Sequence, residues 1–268
     1  PLADNPRLMR MGSLARYLSE KGHTVVWWSS SFIHGSKKYY TDHYSQYKLN
    51  DNETLVLLHS RTSYTRNKSL SRIKYHRVLA REFLNHTAEF APPNIIMCAW
   101  PTPQFAEAAV QYGERHNIPV ILDIRDFWPD IYTRAFPEKL RPVINLALMP
   151  MKRSCQKTIK RATGIVGKEK AALDWGCKYA GRFPGKNDER IFIGSDRIHI
   201  SKDVLSSNLT WWKKKGVTEE TWNICFFSTL SLQSIDLETV IRAVLLLAKN
   251  HPDIRLVIGG KGDGETKL

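Results

Sequence analysis

The sequence predicts an α/β protein built from two doubly wound domains, the second of them incomplete. Three observations predict it. Short apolar, β-branched runs alternate with amphipathic helical stretches, a pattern that right-handed crossovers close into a parallel sheet with helices on both faces. One run, PVILDIRDFWPD from Pro119 to Asp130, reads as a strand covered on both faces that ends in a knot of charges and aromatics. Near residue 200 the pattern restarts with a fresh strand, which sets the domains at 1–200 and 201–268.

Composition bounds the class. The 268 residues are 42% hydrophobic and 25% charged, as in a globular enzyme, and no apolar run approaches the length needed to cross a bilayer. Cys98, Cys155, Cys177 and Cys225 are far apart and form no CxxC pair, so they read as free thiols in a reducing cytoplasm. A formal net charge of +14 implies an anionic partner: nucleic acid, a phosphate-bearing substrate or an acidic membrane surface. Charge does not choose among them. The chain opens without Met or a targeting segment, and its first residues read as the loop after a missing strand, so a fragment is expected.

The elements follow in order. Asn5 and Pro6 start a helix from Arg7 to Lys21, which Gly22 stops, by the preference for Asn at the cap, Pro at the first position and Gly past the end. Leu8, Met11, Ala15 and Leu18 give it a core stripe. Arg7 and Arg10 sit in its first turn, where cations oppose the helix dipole by about 0.3–1 kcal/mol each; they are either solvated or placed for a bound phosphate. Thr24 to Trp28 is a strand, Ser29 to Asn52 a polar, tyrosine-rich surface loop, and Thr54 to His59 another strand. Arg61 to His86 carries seven Lys and Arg against one acid, Glu82. From Ser69 it reads as a helix with Leu70, Ile73, Ala80, Phe83 and Leu84 toward a core. Arg72, Lys74, Arg77 and Arg81 form a basic face, either merely solvated or suited to anionic headgroups at about 1 kcal/mol per exposed cation.

Asn94 to Ala99 is a strand and Pro103 to His116 a helix leading into the strand at Pro119. At that strand's end Asp123, Arg125, Asp126 and Trp128 stand where open α/β sheets face a ligand crevice. The plainer reading is an ion pair closing a loop over a half-buried Trp. Glu138 to Arg161 is a helix broken near Pro142 and Pro150. Its apolar run, Val143 to Met149, is expected to pack against the sheet, contact with a membrane being the other option. Gly164 to Gly167 is a strand, Glu169 to Tyr179 a helix and Ile191 to Gly194 a strand.

The second domain opens with a polar helix from Asp203 to Gly216. Trp222 to Phe227 is its first strand, Ser228 to Ser234 a small-residue loop, Asp236 to Asn250 a helix patterned on Val240, Ile241, Val244 and Leu247, and Ile254 to Ile258 the next strand. A small polar loop before a helix N-terminus suits a diphosphate. Gly260 and Gly262, with Lys261 and Asp263, let a backbone approach a nucleotide, although glycines at a strand end serve turns as often.

Four stretches together, NPRLMRMGSLARYLSEKGHTVVWW, DIRDFWPD, FFSTLSLQSIDLETVIRAV and LVIGGKGDG, resemble the family-4 retaining glycosyltransferases. The resemblance is strongest to bacterial enzymes of O-antigen and capsule assembly, including N-acetylfucosamine transferases. It implies a GT-B fold of two Rossmann-like domains and transfer of a sugar, with retention, from a nucleotide donor of the UDP type to a lipid-diphosphate-linked acceptor. It implies no metal and no cofactor, the UDP-sugar being substrate, and a cytoplasmic enzyme peripheral to the inner face of the plasma membrane. By position Arg125 and Asp126 match the His-Asp of many relatives, with Arg in place of the His, and are the catalytic candidates. Ser228, Thr229, Gly260, Lys261, Gly262 and Asp263 are the donor-side candidates, with Asp236 and Leu237 where many relatives have Lys-Gly. Arg7, Arg10 and Trp128 are the acceptor or phosphate candidates, and Arg72, Lys74, Arg77 and Arg81 the membrane face. The paired glutamates of the family lie beyond Leu268, so the chain alone is expected not to turn over.

Two rival readings are a sugar-nucleotide epimerase on the same fold and a basic nucleic-acid-binding protein. The basic, acceptor-side surface argues against the first. For the second there is no zinc-ligand spacing, RRM-like aromatic motif or helix-turn-helix, so no nucleic-acid partner is expected.

Overall fold

The computed structural model describes residues 10–34, 36–65, 69–134, 136–194, 200–228, 230 and 236–262. The chain divides into two compact units, Pro1–Asp196 and Arg197–Leu268.

The first unit runs α1 (Arg10–Glu20), β1 (Val25–Ser30), β2 (Phe32–Ile33), β3 (Lys38–Tyr39), β4 (Ser45–Asn50), β5 (Glu53–Leu58), α2 (Leu70–His86), β6 (Ile96–Trp100), α3 (Pro103–His116), β7 (Val120–Ile124), α4 (Asp130–Arg134), α5 (Arg141–Ala147), α6 (Met149–Lys160), β8 (Gly164–Gly167), α7 (Lys170–Ala180) and β9 (Glu189–Arg190). Strands β6, β7, β8 and β9 form a parallel sheet in that order, while β5 pairs parallel with β1 and antiparallel with β4. Leu55, Val56, Leu57 and Leu58 of β5, like Leu122 and Ile124 of β7, are buried, as continuous apolar strands between helix layers should be. Core packing joins Leu58, Leu79 and Phe83 to Ala108 and Tyr112 of α3, and a second cluster wraps β7 with Trp100, Ala109, Ile159 and Ile165.

Local signals explain the helix ends. The Ser69 side chain caps α2 by accepting from the Arg72 N–H, Pro103 occupies the first turn of α3, and Asn117 closes that helix in the left-handed region at φ 56°, the positions their chemistry favours. At Gly113 a Cβ would stand 2.3 Å from Val120 Cγ2 and 2.7 Å from the Ile118 carbonyl oxygen. Glycine is what lets the end of α3 lie against β7.

Four expectations are corrected. The stretch from Ser29 to Asn52 is not one loop: it holds the β2–β3 hairpin and β4, an edge strand whose residues alternate between half-buried and exposed. Leu70, expected in the core, is 83% exposed because it is the first residue of α2. No strand forms at Ile191 to Gly194; the β9 ladder sits just before it, at Glu189–Arg190. Val143 and Leu146 do not pack on the sheet but face outward, since α5 buries no residue, and Met149 at the start of α6 is exposed as well.

The second unit runs α8 (Lys202–Lys214), β10 (Trp222–Phe227), α9 (Leu237–Leu247) and β11 (Ile254–Gly259), with β10 and β11 parallel and Trp222 opposite Ile254. Asp236 caps α9 by accepting from the Thr239 N–H. Leu230 and Ile254 are its buried apolar residues among those described. Both units are thus α/β with parallel pairing.

Candidate active site

The sequence places one charge inside the otherwise apolar strand β7, and the structure shows what it is for. Asp123 is fully buried opposite Ala99 of β6 and Val166 of β8. A carboxylate there needs cationic partners, because burial of an unpaired charge is prohibitive. It has two. Arg10 Nε at the start of α1 donates to Asp123 Oδ2 at 2.9 Å, and Arg125 Nε, just past the end of β7, donates to the same oxygen at 3.0 Å. Arg10 also sends Nη1 to the carbonyls of Ile191 and Phe192, each at 2.9 Å. Its side chain is 12% exposed, so it is not the solvated arginine that the sequence left open.

The group therefore gathers at the carboxyl ends of β7 and β9, where ligands of α/β sheets bind. One carboxylate holds two guanidiniums, leaving an excess positive charge. Arg125 Nη2 is buried, as is Asp123 Oδ1, and neither has a hydrogen-bond partner among the described residues. Arg125 itself is partly exposed. A partly exposed guanidinium, fixed at Nε by a buried carboxylate, presents its outward N–H groups in a preorganised way to a carboxylate or phosphate oxygen. Asp126 differs from both: it is exposed, and its carbonyl accepts the Trp128 N–H at 3.0 Å. The residue that orients Arg125 is thus Asp123, not Asp126.

Trp128 is a packed residue, 7% exposed, with its carbonyl accepting the Trp100 Nε1–H at 3.3 Å and its ring 4.8 Å from that of Tyr132. Arg72 lies over it, with Cζ 5.4 Å from the Trp128 ring and 5.7 Å from the Tyr64 ring, cation–π distances. Arg72 therefore leaves the basic face expected of α2, on which Lys74, Arg77 and Arg81 are exposed. Behind Trp128, Asp130 accepts from Trp175 Nε1 and the Tyr179 hydroxyl at 2.9 Å each and pairs with Lys152 at 2.7 Å. Burial would raise the Asp130 carboxyl, but the hydrogen bonds from Lys152, Trp175 and Tyr179 outweigh it and hold it below the ordinary range. This network braces the loop after β7.

In the second unit the glycines have a packing task. A Cβ on Gly260, at φ 155°, would stand 1.8 Å from the Ser228 carbonyl oxygen, and one on Gly262 would stand 2.1 Å from that of Leu230. The Ser228 N–H is committed to the Gly259 carbonyl and the Leu230 N–H to that of Lys261. Lys261 is exposed. Arg7, Thr229 and Asp263 lie outside the described residues. Among those described, no group of three or more His, Cys, Asp or Glu is arranged to hold a metal ion, and no helix is long and apolar enough to cross a membrane. Cys98, Cys155 and Cys177 are buried and Cys225 is exposed. A concavity of 420 Å³ opens at the other end of β7, where Arg161 is paired with Glu114.

The sequence matches no protein-family model and is not detectably similar to any curated protein. Its fold is nevertheless found among solved structures. The UDP-forming α,α-trehalose-phosphate synthase of Burkholderia vietnamiensis superposes with a TM-score of 0.57 at 12% identity, over 96% of this chain and 64% of that one. The α,α-trehalose 6-phosphate synthase of Burkholderia multivorans gives 0.53 at 15% identity, over 92% of this chain and 60% of that one. The chain spans less than two thirds of the length of either. At these identities the likeness is one of fold, the α/β arrangement with parallel sheets of GT-B glycosyltransferases.

Proposed function

We propose that the chain is part of a retaining glycosyltransferase that moves a sugar from a UDP-type donor to a lipid-diphosphate-linked acceptor, in the assembly of O-antigen or capsule units at the inner face of the plasma membrane. The observation that carries this reading is the arginine pair held by Asp123 at the carboxyl ends of β7 and β9. Glycosyl transfer from a nucleotide leaves negative charge on the departing diphosphate. A fixed guanidinium that meets this charge lowers the barrier, because it is already oriented before the charge develops. Arg125 takes that role through the part of its guanidinium that reaches the surface, and Asp123 is its positioning residue. Arg10, tied to two backbone carbonyls, keeps the carboxylate in place and adds to the positive field. Asp126, exposed beside them, accepts from a sugar hydroxyl. The chemistry as drawn uses no metal or cofactor. Ser228, Gly260, Lys261 and Gly262 contribute to donor binding, and Lys74, Arg77 and Arg81 to a basic surface that favours anionic lipid. The fold likeness to trehalose-phosphate synthases, one of them described as UDP-forming, and the sequence resemblance to family-4 enzymes both support this reading.

Calorimetric titration with UDP tests it. Saturable binding is expected, and Arg125→Ala should weaken it about tenfold or more, the scale of one charge-assisted hydrogen-bond pair. In an assay of sugar transfer by a full-length version that carries the paired glutamates, Asp126→Ala should lower turnover about a hundredfold without moving the melting temperature. No UDP binding, together with steeply salt-dependent affinity for generic DNA, would move the assignment to a nucleic-acid-binding protein.

A further inference from the structure

Helix α5 presents an apolar ridge to the outside. Leu140 is 51% exposed and Val143 and Leu146 are 66% exposed, one turn apart along the chain, with Phe136 and Met149 exposed at either end. Ile144 and Leu148 reach only half-burial. The ridge is nonetheless held firmly. Asn145 Oδ1 accepts from the Thr133 hydroxyl of α4 at 2.9 Å and from Lys152 Nζ of α6 at 2.8 Å, and Lys152 is itself paired with Asp130. A short helix anchored by polar bonds, with its largest apolar side chains outermost, is not arranged for water.

Charge says what it is arranged for. From Asp130 to Lys160, the span of α4 to α6, the chain carries seven Lys and Arg and two acids, Asp130 and Glu138, which pair with Lys152 and Arg141. Lys139 next to the ridge and Arg153 and Lys157 on α6 are exposed. An apolar strip within a field of net positive charge fits an interface whose interior is hydrocarbon and whose surface is anionic. A protein partner would need a matching acidic rim around an apolar patch. A second copy of this chain would bring the same positive charge against itself.

We propose that the α4–α5 ridge, with Leu140, Val143 and Leu146 at its crest, is the segment that enters an anionic phospholipid surface, and that the basic face of α2 is at most an accessory to it. This rests on the lipid-linked acceptor of the proposed function, since an acceptor anchored in lipid is reached from the membrane surface. Its test reads membrane contact and not activity.

The chain is sedimented with phosphatidylglycerol–phosphatidylcholine vesicles and with phosphatidylcholine alone, as wild type, as the triple variant Leu140→Ser, Val143→Ser, Leu146→Ser, and as Lys74→Gln, Arg77→Gln, Arg81→Gln. A polarity-sensitive dye on Val143→Cys, in a Cys225→Ser background, reports the ridge directly. The expected result is binding to the anionic vesicles, a blue shift of the dye on binding, and about a tenfold or greater loss of binding in the ridge variant, with a smaller loss in the α2 variant. All the substituted ridge residues are exposed, so folding is checked simply by an unchanged melting curve. The proposal is overturned if the vesicles bind without a dye shift, if the α2 variant alone abolishes binding, or if the chain does not sediment with vesicles. A dimer that the ridge variant dissolves would equally overturn it, in favour of self-association. UDP binding by the ridge variant should match wild type, so a failure here is distinct from a failure of the transferase assignment.

Discussion

A single buried side chain can tie a domain's stability to acid, and His76 of α2 does so in the first unit. It is buried beneath Tyr64 and Tyr75, and its Nδ1 has no hydrogen-bond partner among the described residues. Burial, then the cationic neighbours Arg72 and His34, push its pKa down to about 4 from the ordinary 6.5. The folded value lies below the unfolded one, so between these two pH values the unfolded chain takes up a proton that the folded chain refuses. Stability should therefore fall as pH drops from 6.5 toward 4, by up to about 3 kcal/mol from this residue, and level off below. Urea midpoints of wild type and His76→Gln across that range would show it. The difference between the two proteins should run against wild type as acid is added; parallel curves would mean that His76 titrates normally.

Among the elements, the contact of α3 with β7 rests on one glycine. Gly113→Ala would gain helix propensity of roughly 1 kcal/mol, but the new Cβ meets the Ile118 carbonyl oxygen at 2.7 Å and Val120 Cγ2 at 2.3 Å. A side chain can turn away; a backbone carbonyl cannot. The substitution should thus destabilise by about 1–3 kcal/mol net, read as a lower denaturant midpoint at constant slope. An unchanged or raised midpoint would show that the helix end shifts freely. Elements of this kind were legible in the sequence for physical reasons. Strands β5, β7 and β8 are continuous apolar runs, α3 carries Pro at its start, and α9 has an Asp cap. Strand β4 was not, because its half-buried positions are Ser45, Tyr47 and Leu49 among polar neighbours, a weak alternation that also fits a loop. Nor was the exposure of α5, since an apolar pattern states that a face must be covered and not by what. At the site, Arg10 is legible as a cation in a helix's first turn, and Asp123, Arg125 and Asp126 as charges at a strand end; that Asp123 lies within the strand and holds both arginines has no local signal. The Ile191 and Phe192 carbonyls, 181 and 182 residues from Arg10, carry no local signal at all.

At the scale of the whole molecule, the two units differ in how much they bury. The first encloses Leu55, Leu58, Trp100, Leu122, Ile124, Ile159 and Ile165 almost completely, whereas the second buries Leu230 and Ile254 among its described apolar residues and leaves Leu245 and Leu246 of α9 and Phe227 of β10 exposed. Hydrophobic burial is the main term holding a domain together, and a two-stranded sheet supplies little of it. Each unit also has its own internal hydrogen-bonded sheet, so nothing in the described ladders requires them to open together. The units should unfold separately, the second first. Hydrogen exchange followed by mass spectrometry distinguishes this from a single cooperative transition. Amides of β10 and β11 should exchange about a hundredfold faster than those of β7, equivalent to ~3 kcal/mol less opening free energy, and heating should give two transitions. Equal protection of β7 and β10 would mean that the units are coupled and that the second draws its stability from the first. Saturating UDP discriminates further. A ligand stabilises the unit that binds it by mass action, so protection gained in β10 and β11 alone would place the nucleotide on the loops around Ser228 and Gly260. Protection gained after β7 would place it on Arg125.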